Sequence, residues 1–552
     1  MHKYFLLLAI VCSLSMINFN AKAQNKAGKQ PKNTEHIDDW ISRGYITAKP
    51  SENLEDHLNN LGPKFSYFIL EHSEDSFLQK DIILPKNWDV FKKNSLDSLL
   101  NSGHPFAQME IQSLIPKNDS LYIYYTIKAN SREVIDTIEI QGSFEVENHF
   151  LYKLIQFNPG EIYEHEKISK VYRKVQQLPF AKWTAEPFFN FTLAQNKWIL
   201  PIDKERASSI DGILGIHSGE SSSQTRIKIT ADIAMHLWNI LKQGEEFVFN
   251  YKNLEASSPQ LHFKANLPYL ANLDFGPEIV FDLNFKDSAY YQQKLQIGIR
   301  YYLSYQNFIR LGYYQENSQI IQANLQNFEY LQSIPEINNY SNRGIVLGFE
   351  SQNKDDFHVA RKGWAIKSNV QLLNKNLEAH SAYLEEAEKY NIPLKEWYAK
   401  EQAANTYFWQ AQMEASLYIP FSKNINLAQS LSVAHKNLKN TSLNALYRIG
   451  GQSLLRGFNE LQFYTKSYGV YTIEPRLFLN QRSYFFLFSD IAWLHRKSGS
   501  NFRSEIVWGL GAGMSFYTNT GIFSLAFGAG KEYQDAFNLR KIQVHIGYKA
   551  LF

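Results

Sequence analysis

The feature that most constrains this chain is a strict alternation of apolar and polar residues through its C-terminal part. The last segment shows it most clearly, with one apolar face: Ile542, Val544, Ile546, Tyr548, Ala550 and Phe552. The intervening residues, from Lys541 to Lys549, are polar or small. A period of two residues is that of a β-strand whose two faces meet different surroundings. One face suits lipid and the other a wet lumen, as in a transmembrane barrel.

Sixteen such segments follow one another from Ile210 to the end of the chain. They begin near Ile210, Thr225, Glu246, Pro259, Phe275, Tyr290, Gln306, Arg343, Gly363, Ala403, Ile425, Tyr464, Ser483, Ser504, Gly521 and Leu539. An even number is what a single-chain bacterial barrel requires. The three longest connections, roughly 319–342, 375–402 and 439–463, all follow odd-numbered strands and so lie at one end. A soluble β-sandwich does not sort loops in this way, so residues 206–552 are predicted to form an all-β transmembrane barrel of sixteen antiparallel strands.

The first residues predict an exported precursor. A charged start, an apolar run over 4–16 and an Ala-Lys-Ala site at 21–23 are typical of a signal peptide over residues 1–23. The apolar run is shorter than the roughly 20 residues of a spanning helix, so we expect cleavage and not an anchor. The only cysteine, Cys12, lies in this leader, so the mature chain is expected to have no disulfide or cysteine ligand. A lipid-modified Cys12 is the alternative.

Between the leader and the barrel the pattern changes to mixed helix and strand. Residues 24–34 have the composition of a disordered tether. Residues 133–205 predict a domain with the order strand, helix, helix, strand, strand, beginning with the strand Val134–Ile140. The region 35–132 repeats the second half of that order, with a further degenerate copy at 40–45. The fold class is therefore one of α+β domains followed by the barrel.

This element order, placed directly before a sixteen-stranded barrel, resembles a POTRA domain. The whole mature chain resembles the BamA/TamA-type superfamily of outer-membrane assembly factors, which includes the two-partner-secretion transporters. The loop after strand eleven contains Arg456, Gly457 and Phe458, similar to the family's Arg-Gly-Phe motif in the sixth extracellular loop. The independent strand count places the motif in this same loop.

The resemblance also implies partners for the arginine. Phe488-Ser489-Asp490 in strand thirteen is similar to the family strand whose aspartate receives the loop arginine, so we expect Arg456 to contact Asp490. A planar guanidinium binds a carboxylate in a two-pronged, charge-assisted contact. Glu474 is either a second counter-ion or an ordinary lumen charge. The position of Asp490 also directs Phe486 and Phe488 into the lumen, which requires a bulge or a locally packed lumen.

Further residues follow from the same resemblance. Asp355, Asp356 and Gly363 resemble the periplasmic turn between strands eight and nine, with Ala in place of the family's Pro at position 360. Gly547 either lets the last strand bend away from the first or is a tolerated small lumen residue. The terminal Phe552 resembles the signal that the assembly machinery recognises.

The function implied by the resemblance is the assembly or translocation of client polypeptides in the outer membrane of a Gram-negative bacterium. The POTRA units would receive outer-membrane or secreted clients in the periplasm, and the barrel would open at a seam between strands 210–218 and 539–552. Periplasmic or lipoprotein partners and outer-membrane lipid are implied, with no cofactor and no metal. A two-partner-secretion exporter of one dedicated passenger and a passive or substrate-selective pore are the alternatives.

Other function classes find no support in the sequence. The net charge of +3 argues against a nucleic-acid partner. The chain has no His-Glu-x-x-His helix, Gly-x-Ser-x-Gly elbow or phosphate loop, so we expect no enzymatic activity. The connection at 377–402 has helical spacing at Leu384, Ala387 and Glu388. It predicts an extracellular lid or a solvated helix, and of the two we expect the solvated helix.

Overall fold

The computed structural model describes residues 64–72, 80–219, 226–253, 258–286, 289–325, 335–439, 442–452, 454–498, 501–518, 521–532 and 542–551. The predictions for the signal peptide, the tether, the copy at 40–45 and Phe552 lie outside these residues. Within them, no helix is long and apolar enough to cross a membrane. The chain divides between Glu133 and Val134 into two compact units, which are described separately.

The first unit contains a small α/β domain. Its elements are β1 (Tyr67–His72), β2 (Lys80–Ile83), α1 (Trp88–Leu100), β3 (Gln108–Lys117) and β4 (Ser120–Lys128). The sheet order is β2-β1-β4-β3, and β1 runs parallel to β4. Helix α1 covers one face because its aromatic side chains pack against a core of Phe65, Phe68, Leu70, Leu121, Ile123 and Tyr125.

The second unit begins with another α/β domain. Its elements are β5 (Val134–Ile135), β6 (Thr137–Gln141), α2 (Asn148–Ile155), β7 (Glu161–Ile162), α3 (Glu166–Gln176), β8 (Ala181–Trp183), β9 (Phe188–Asn190) and β10 (Lys197–Lys204). β10 lies between the parallel strand β6 and the antiparallel strands β8 and β9. The predicted order of strand, helix, helix, strand, strand is present, with the predicted first strand divided into β5 and β6 and with the short strands β7 and β8 added. In the first domain β1 is parallel to β4, as β6 is parallel to β10 here.

The rest of the second unit is an antiparallel barrel. Its strands are β11 (Ser209–Gly219), β12 (Arg226–Trp238), β13 (Glu246–Asn253), β14 (Gln260–Asn266), β15 (Phe275–Lys286), β16 (Tyr290–Ser304), β17 (Asn307–Ile320), β18 (Asn339–Lys354), β19 (Gly363–Glu378), β20 (Tyr407–Pro420), β21 (Ile425–Lys436), β22 (Tyr447–Ile449), β23 (Phe463–Phe478), β24 (Tyr484–Ser498), β25 (Asn501–Thr518), β26 (Gly521–Lys531) and β27 (Gln543–Leu551). Apart from the three-residue β22, these are the sixteen strands that the sequence predicts.

Four strand starts differ from the prediction by more than one residue. The eighth and fourteenth long strands begin at Asn339 and Asn501, earlier than the predicted Arg343 and Ser504. The tenth long strand begins at Tyr407 and not near Ala403, because helix α5 (Leu394–Asn405) occupies the preceding residues. The last strand begins at Gln543, four residues after the predicted start at Leu539. Period-two alternation does not mark the point where pairing with a neighbour starts, so it does not fix the ends of a strand.

Alternation along each strand separates an outer apolar face from a polar lumen. On β16, Ile299 is 56% exposed while the adjacent Arg300 is 3% exposed. The Arg300 guanidinium forms an ion pair with Glu278, and Arg310 bonds to the same carboxylate. Charged residues therefore fill this part of the lumen in compensated groups, as burial of charge requires.

The connections differ in length between the two ends of the barrel. We call the end where β11 follows the α/β domain the domain end, and the opposite one the far end. The long connections 321–338, 379–406 and 437–462 all lie at the far end, as predicted. Turns at the domain end are shorter, the longest being Leu267–Asp274 and Asp355–Lys362, of eight residues each.

The α/β domain over 134–204 packs directly on the domain end of the barrel. The Phe150 ring of α2 meets Tyr269 and Tyr305 of two barrel turns at centroid distances of 5.9 and 6.0 Å. Phe180 meets Tyr305 and Trp238, both at 6.2 Å. These rings form one continuous apolar core with the interior of the domain. Hydrophobic burial thus fixes the domain against the barrel.

Candidate functional site

The sixth far-end connection, residues 437–462 (loop six), folds back into the lumen. Its short strand β22 pairs with the start of β23. Nearer the tip, Leu455 and Phe458 are buried in an apolar cluster with lumen-facing residues of three strands: Val470, Ala492, Leu494 and Val507. The tip of loop six is therefore packed against the inner wall formed by β23, β24 and β25.

Arg456, at the tip of loop six, binds the predicted partner. Its Nε and Nη2 atoms donate to the two carboxylate oxygens of Asp490 at 3.0 and 2.8 Å. The Arg456 backbone N–H donates to the same carboxylate at 2.9 Å. Nη1 donates to Glu474 at 2.6 Å, so Glu474 is a second counter-ion. Asp490 is 0% exposed, and this fork supplies the compensation that a fully buried carboxylate needs.

The aromatic residues beside Asp490 enter the lumen without a bulge. β24 pairs with β25 in continuous register from Tyr484 to Ser498. Phe488 lies opposite Gly511 and Phe486 opposite Gly513, so each ring covers a residue that has no side chain. The guanidinium of Arg456 stacks on Phe488, 3.8 Å from the ring centroid. Of the two explanations left open, the structure shows the locally packed lumen.

Glycines on β25 and β26 let the loop tip approach the wall. A Cβ at Gly509 would lie 2.1 Å from the carbonyl oxygen of Arg456. One at Gly530 would lie 2.5 Å from the carbonyl oxygen of Gly457. Gly457 itself has a φ of +88°, a conformation that favours glycine. The backbone of loop six therefore packs directly against the backbone of β25 and β26 at these glycines, with no side chain between them.

The turn between β18 and β19 contains the other predicted residues. The Asp355 carboxylate accepts from the N–H groups of Arg361 and Lys362 at 2.9 and 3.0 Å. Asp356 accepts from the N–H groups of His358 and Val359. Gly363 has a φ of +113°, and a Cβ there would lie 1.9 Å from a carbonyl oxygen. The two aspartates shape the turn through its backbone N–H groups, and Gly363 ends it in a conformation that favours glycine.

Arg482, which the sequence did not single out, connects this turn to other elements. Its Nε donates to Asp356 at 2.9 Å, and its Nη1 donates to Glu205 at 3.0 Å and to the Tyr517 hydroxyl at 2.9 Å. Burial alone would lower the pKa of this guanidinium, but the carboxylates of Asp356 and Glu205 outweigh that effect and raise the pKa. The side chain is therefore a permanent cation between two acids.

The first and last strands meet over a very short distance. β11 and β27 pair at Ser209 with Leu551 and at Ile210 with Ala550. By contrast β26 and β27 share eight pairs, and β18 and β19 share sixteen. The Asp211 carboxylate accepts from the N–H of Ala550 at 3.1 Å at the point where backbone pairing stops. Among the residues that the structure describes, the barrel is thus closed by a seam of two residue pairs at the domain end.

Comparison with known proteins decides the family. Residues 239–549, more than half of the chain, match the model described as the Omp85 superfamily domain. The chain belongs to the Omp85 superfamily. Its fold is similar to that of CdiB from Escherichia coli, with a TM-score of 0.51, 14% identity, and coverage of 93% of this chain and 95% of that one. At this identity the likeness shows the fold alone. No curated protein matches the sequence.

Two further solved structures are similar at lower scores. BamA from Haemophilus ducreyi lacking POTRA domains 1-3 gives a TM-score of 0.47 and 13% identity, covering 84% of this chain and 93% of that one. CdiB from Acinetobacter baumannii gives 0.49 and 12%, covering 90% and 84%. The resemblance found in the sequence is confirmed by the family match. Members of the Omp85 superfamily are outer-membrane barrels that assemble or translocate polypeptides.

In this Omp85 barrel the last strand does not bend at Gly547. β26 and β27 pair continuously from Gln543 to Ala550, through Gly547. A Cβ at Gly547 would lie 2.8 Å from Ser524 Oγ and 3.7 Å from Gln452 Nε2 of loop six. The structure favours the interpretation of Gly547 as a small lumen residue beneath loop six.

The far end of the Omp85 barrel carries a packed cap. Helices α4 (Ser381–Lys389) and α5 bury Tyr383, Ala387, Leu394 and Tyr398 against Ile320, Tyr340, Leu377 and Ala445. The amide of Asn444, in loop six, donates to Ser318 and to the carbonyl of Asn338, both at 2.8 Å. We call helices α4 and α5 with residues 335–338 and 442–445 the dome. The expectation of a merely solvated helix at 377–402 was wrong, because its apolar face is buried against other loops.

Proposed function

We propose that this protein inserts or translocates client polypeptides at the seam between β11 and β27. The two-pair seam is the observation that carries the proposal. Beyond Ile210 and Ala550, the facing edges of β11 (to Gly219) and β27 (from Gln543) have backbone groups that no ladder pairs in the described part of the chain. Such groups are costly inside a bilayer, and an incoming client strand would satisfy them by β-augmentation.

The occupied lumen argues against a passive pore. Loop six fills one side of the lumen and is anchored at Asp490 and Glu474. The dome covers the far end through contacts that join three separate connections. A diffusing solute would have to displace both, whereas a client that enters at the seam displaces neither. An exporter of a dedicated passenger through the lumen would need loop six to leave its site.

The α/β domains would receive clients on the periplasmic side. The parallel pairing of β1 with β4 and of β6 with β10 supports the interpretation as POTRA units. The domain over 134–204 is held at the domain end, so a client it binds would be delivered beside β11. We therefore place the domain end in the periplasm and the dome outside the cell, with no cofactor or catalytic residue required.

Site-specific crosslinking tests this function. A photo-crosslinking amino acid at position 544 would lie on the outer face of β27, beside the seam. A matched control at position 299 lies on the equally exposed outer face of β16, between fully paired strands. A denatured eight-stranded outer-membrane barrel serves as the client during insertion into proteoliposomes.

Adducts of the client at position 544, with few at position 299, would support the entry of clients at the seam. Equal labelling at both positions would show non-specific contact and reject the entry of clients at the seam. Adducts confined to lumen positions, for example at position 414, would favour the through-lumen exporter. Insertion that does not depend on the purified protein would reject the function altogether.

A further inference from the structure

The turn Asp355–Lys362, which we call the floor turn, reaches across the domain end of the barrel. It connects β18 and β19, which are the eighth and ninth long strands. Its Phe357 ring nevertheless meets Trp238, at the domain end of the second strand, with centroids 5.7 Å apart and rings at 89°. Five strands, β13 to β17, separate β12 from β18 on the shorter way round the sixteen-stranded ring, so a turn that touches both must pass beneath the lumen.

Other contacts fix the floor turn on the opposite side. The Arg361 guanidinium donates to the carbonyls of Lys423 and Gln481, at 3.0 and 3.2 Å, in two further domain-end turns. It also stacks on Phe478, 4.0 Å from the ring centroid. Val359 and Ala360 are buried. Together with the internal bonds of Asp355 and Asp356, these contacts make the floor turn a formed structure and not a loose loop.

One cation joins the floor turn to the α/β domain. Arg482 contacts Asp356 in the floor turn and Glu205, the first residue after β10 of the docked domain. Its third contact is Tyr517, near the end of β25. A movement of the domain that displaces Glu205 would therefore remove one of the two acids that hold Arg482 in place.

We propose that the floor turn is a gate across the domain end of the lumen and that Arg482 is its latch, coupled to the docked domain through Glu205. An open recess of about 190 Å³ lies along the lumen wall beside Glu350, Lys367 and Glu414. The regulatory meaning of the gate rests on the proposed function, since it would open as the domain delivers a client. The closure itself is a property of the barrel and needs no client.

Thiol labelling tests the gate without a client. The mature chain has no other cysteine, so Glu414→Cys places a single thiol in the lumen, on a solvent-exposed position of β20. The probes are a maleimide attached to a long polyethylene glycol chain, too large to pass a closed gate, and a small maleimide that reports whether the thiol reacts. Labelling is measured with the domain end of the reconstituted barrel facing the probe.

The latch variants are Arg482→Gln and Asp356→Asn. Asn keeps an oxygen for the N–H groups of His358 and Val359, so the second variant removes the charge toward Arg482 and spares the turn. Arg343→Gln is the matched control, because Arg343 is an exposed arginine on the outer face of β18. We expect the large probe to react at least about tenfold faster in both latch variants, since each 1.4 kcal/mol changes a two-state population by a factor of ten.

Two results would overturn the gate. The large probe could label the thiol as fast in the otherwise unchanged chain as in the latch variants, which would mean that the lumen is already open. It could instead stay excluded in both variants while the small maleimide reacts, which would mean that the latch does not close the route. Faster labelling in both latch variants, together with no client insertion by the otherwise unchanged protein, would support the gate and reject the proposed function.

Discussion

Both carboxylate oxygens of Asp490 accept hydrogen bonds from the guanidinium of Arg456, at 2.8 and 3.0 Å. This contact holds the tip of a far-end loop against the inner wall of β24. Its surroundings are adapted to it, with Glu474 as a second acid and the Phe488 ring beneath the guanidinium. The loop is thus held by charge, stacking and backbone fit together.

Arg456→Lys should release loop six even though the positive charge remains. A lysine ammonium cannot span Asp490 and Glu474 or stack on Phe488 as a planar guanidinium does. The lysine leaves one of the two buried carboxylates poorly compensated, so we expect the loop to leave its site and client insertion to fall at least about tenfold while the barrel still assembles. Heat-modifiable migration on gels reports assembly, and proteoliposome insertion reports function. Arg448→Lys, on the same loop, should be nearly silent; comparable losses in both variants would contradict a special role for Arg456.

Gly509→Ala should expel the loop tip. The added Cβ would lie 2.1 Å from the Arg456 carbonyl oxygen, an impossible contact unless the loop moves. We expect a protease site engineered into loop six to be cut faster in intact cells. Gly469→Ala is the matched control, because a Cβ there would meet Val433 at an ordinary 3.6 Å. Unchanged cleavage in the Gly509 variant would show that loop six does not rest on β25.

Leu394→Ser should loosen the dome. Leu394 is buried between α4, α5 and the neighbouring loops, and loss of such a side chain costs about 2–5 kcal/mol. We expect faster proteolysis between the two helices in intact cells. The adjacent Lys395→Ala removes an exposed ion pair with Glu388, which is worth little. If Lys395→Ala loosened the segment as much as Leu394→Ser, the apolar cluster would not be what holds it.

Gly244→Ala should detach the α/β domain from the barrel. Gly244 has a φ of +72°, and a Cβ there would lie 2.1 Å from the Phe150 ring of α2. We expect faster proteolysis of the linker 205–208. Gly160→Ala is the control that separates backbone strain from the clash with Phe150, because Gly160 has a φ of +80° but open space around it. An equal effect of both variants would mean that backbone strain, and not the lost packing of Phe150, is responsible.

The sequence predicted those features that a local repeat of apolar and polar residues can encode. The family resemblance added one side-chain contact. Alternation gave the sixteen strands and the loop lengths, and the motif around Arg456 gave its contact with Asp490. Arg482 was missed because its partners Glu205 and Asp356 lie 277 and 126 positions away and leave no local pattern. The dome was misjudged because a helix with few apolar residues looks solvated until its neighbours are known.

One available signal was overlooked. Gly509, Gly511 and Gly513 alternate within a single strand, and glycine weakens a strand interior unless something approaches it closely. All three face the lumen, opposite Asp490, Phe488 and Phe486. Their spacing alone could have predicted that side chains or a loop lie on this part of the wall.

The measurement that tests the central claim most directly is a disulfide across the seam. If the register that pairs Ser209 with Leu551 and Ile210 with Ala550 continued along a zipped seam, Gly215 would lie opposite His545, so a disulfide between Gly215→Cys and His545→Cys would lock β11 to β27 in the closed state. Ala526→Cys with the same His545→Cys is the control, because it links β27 to its regular neighbour β26. We expect the seam disulfide to abolish client insertion, a reductant to restore it, and the control disulfide to have no effect. Full insertion with the seam completely crosslinked would contradict the account.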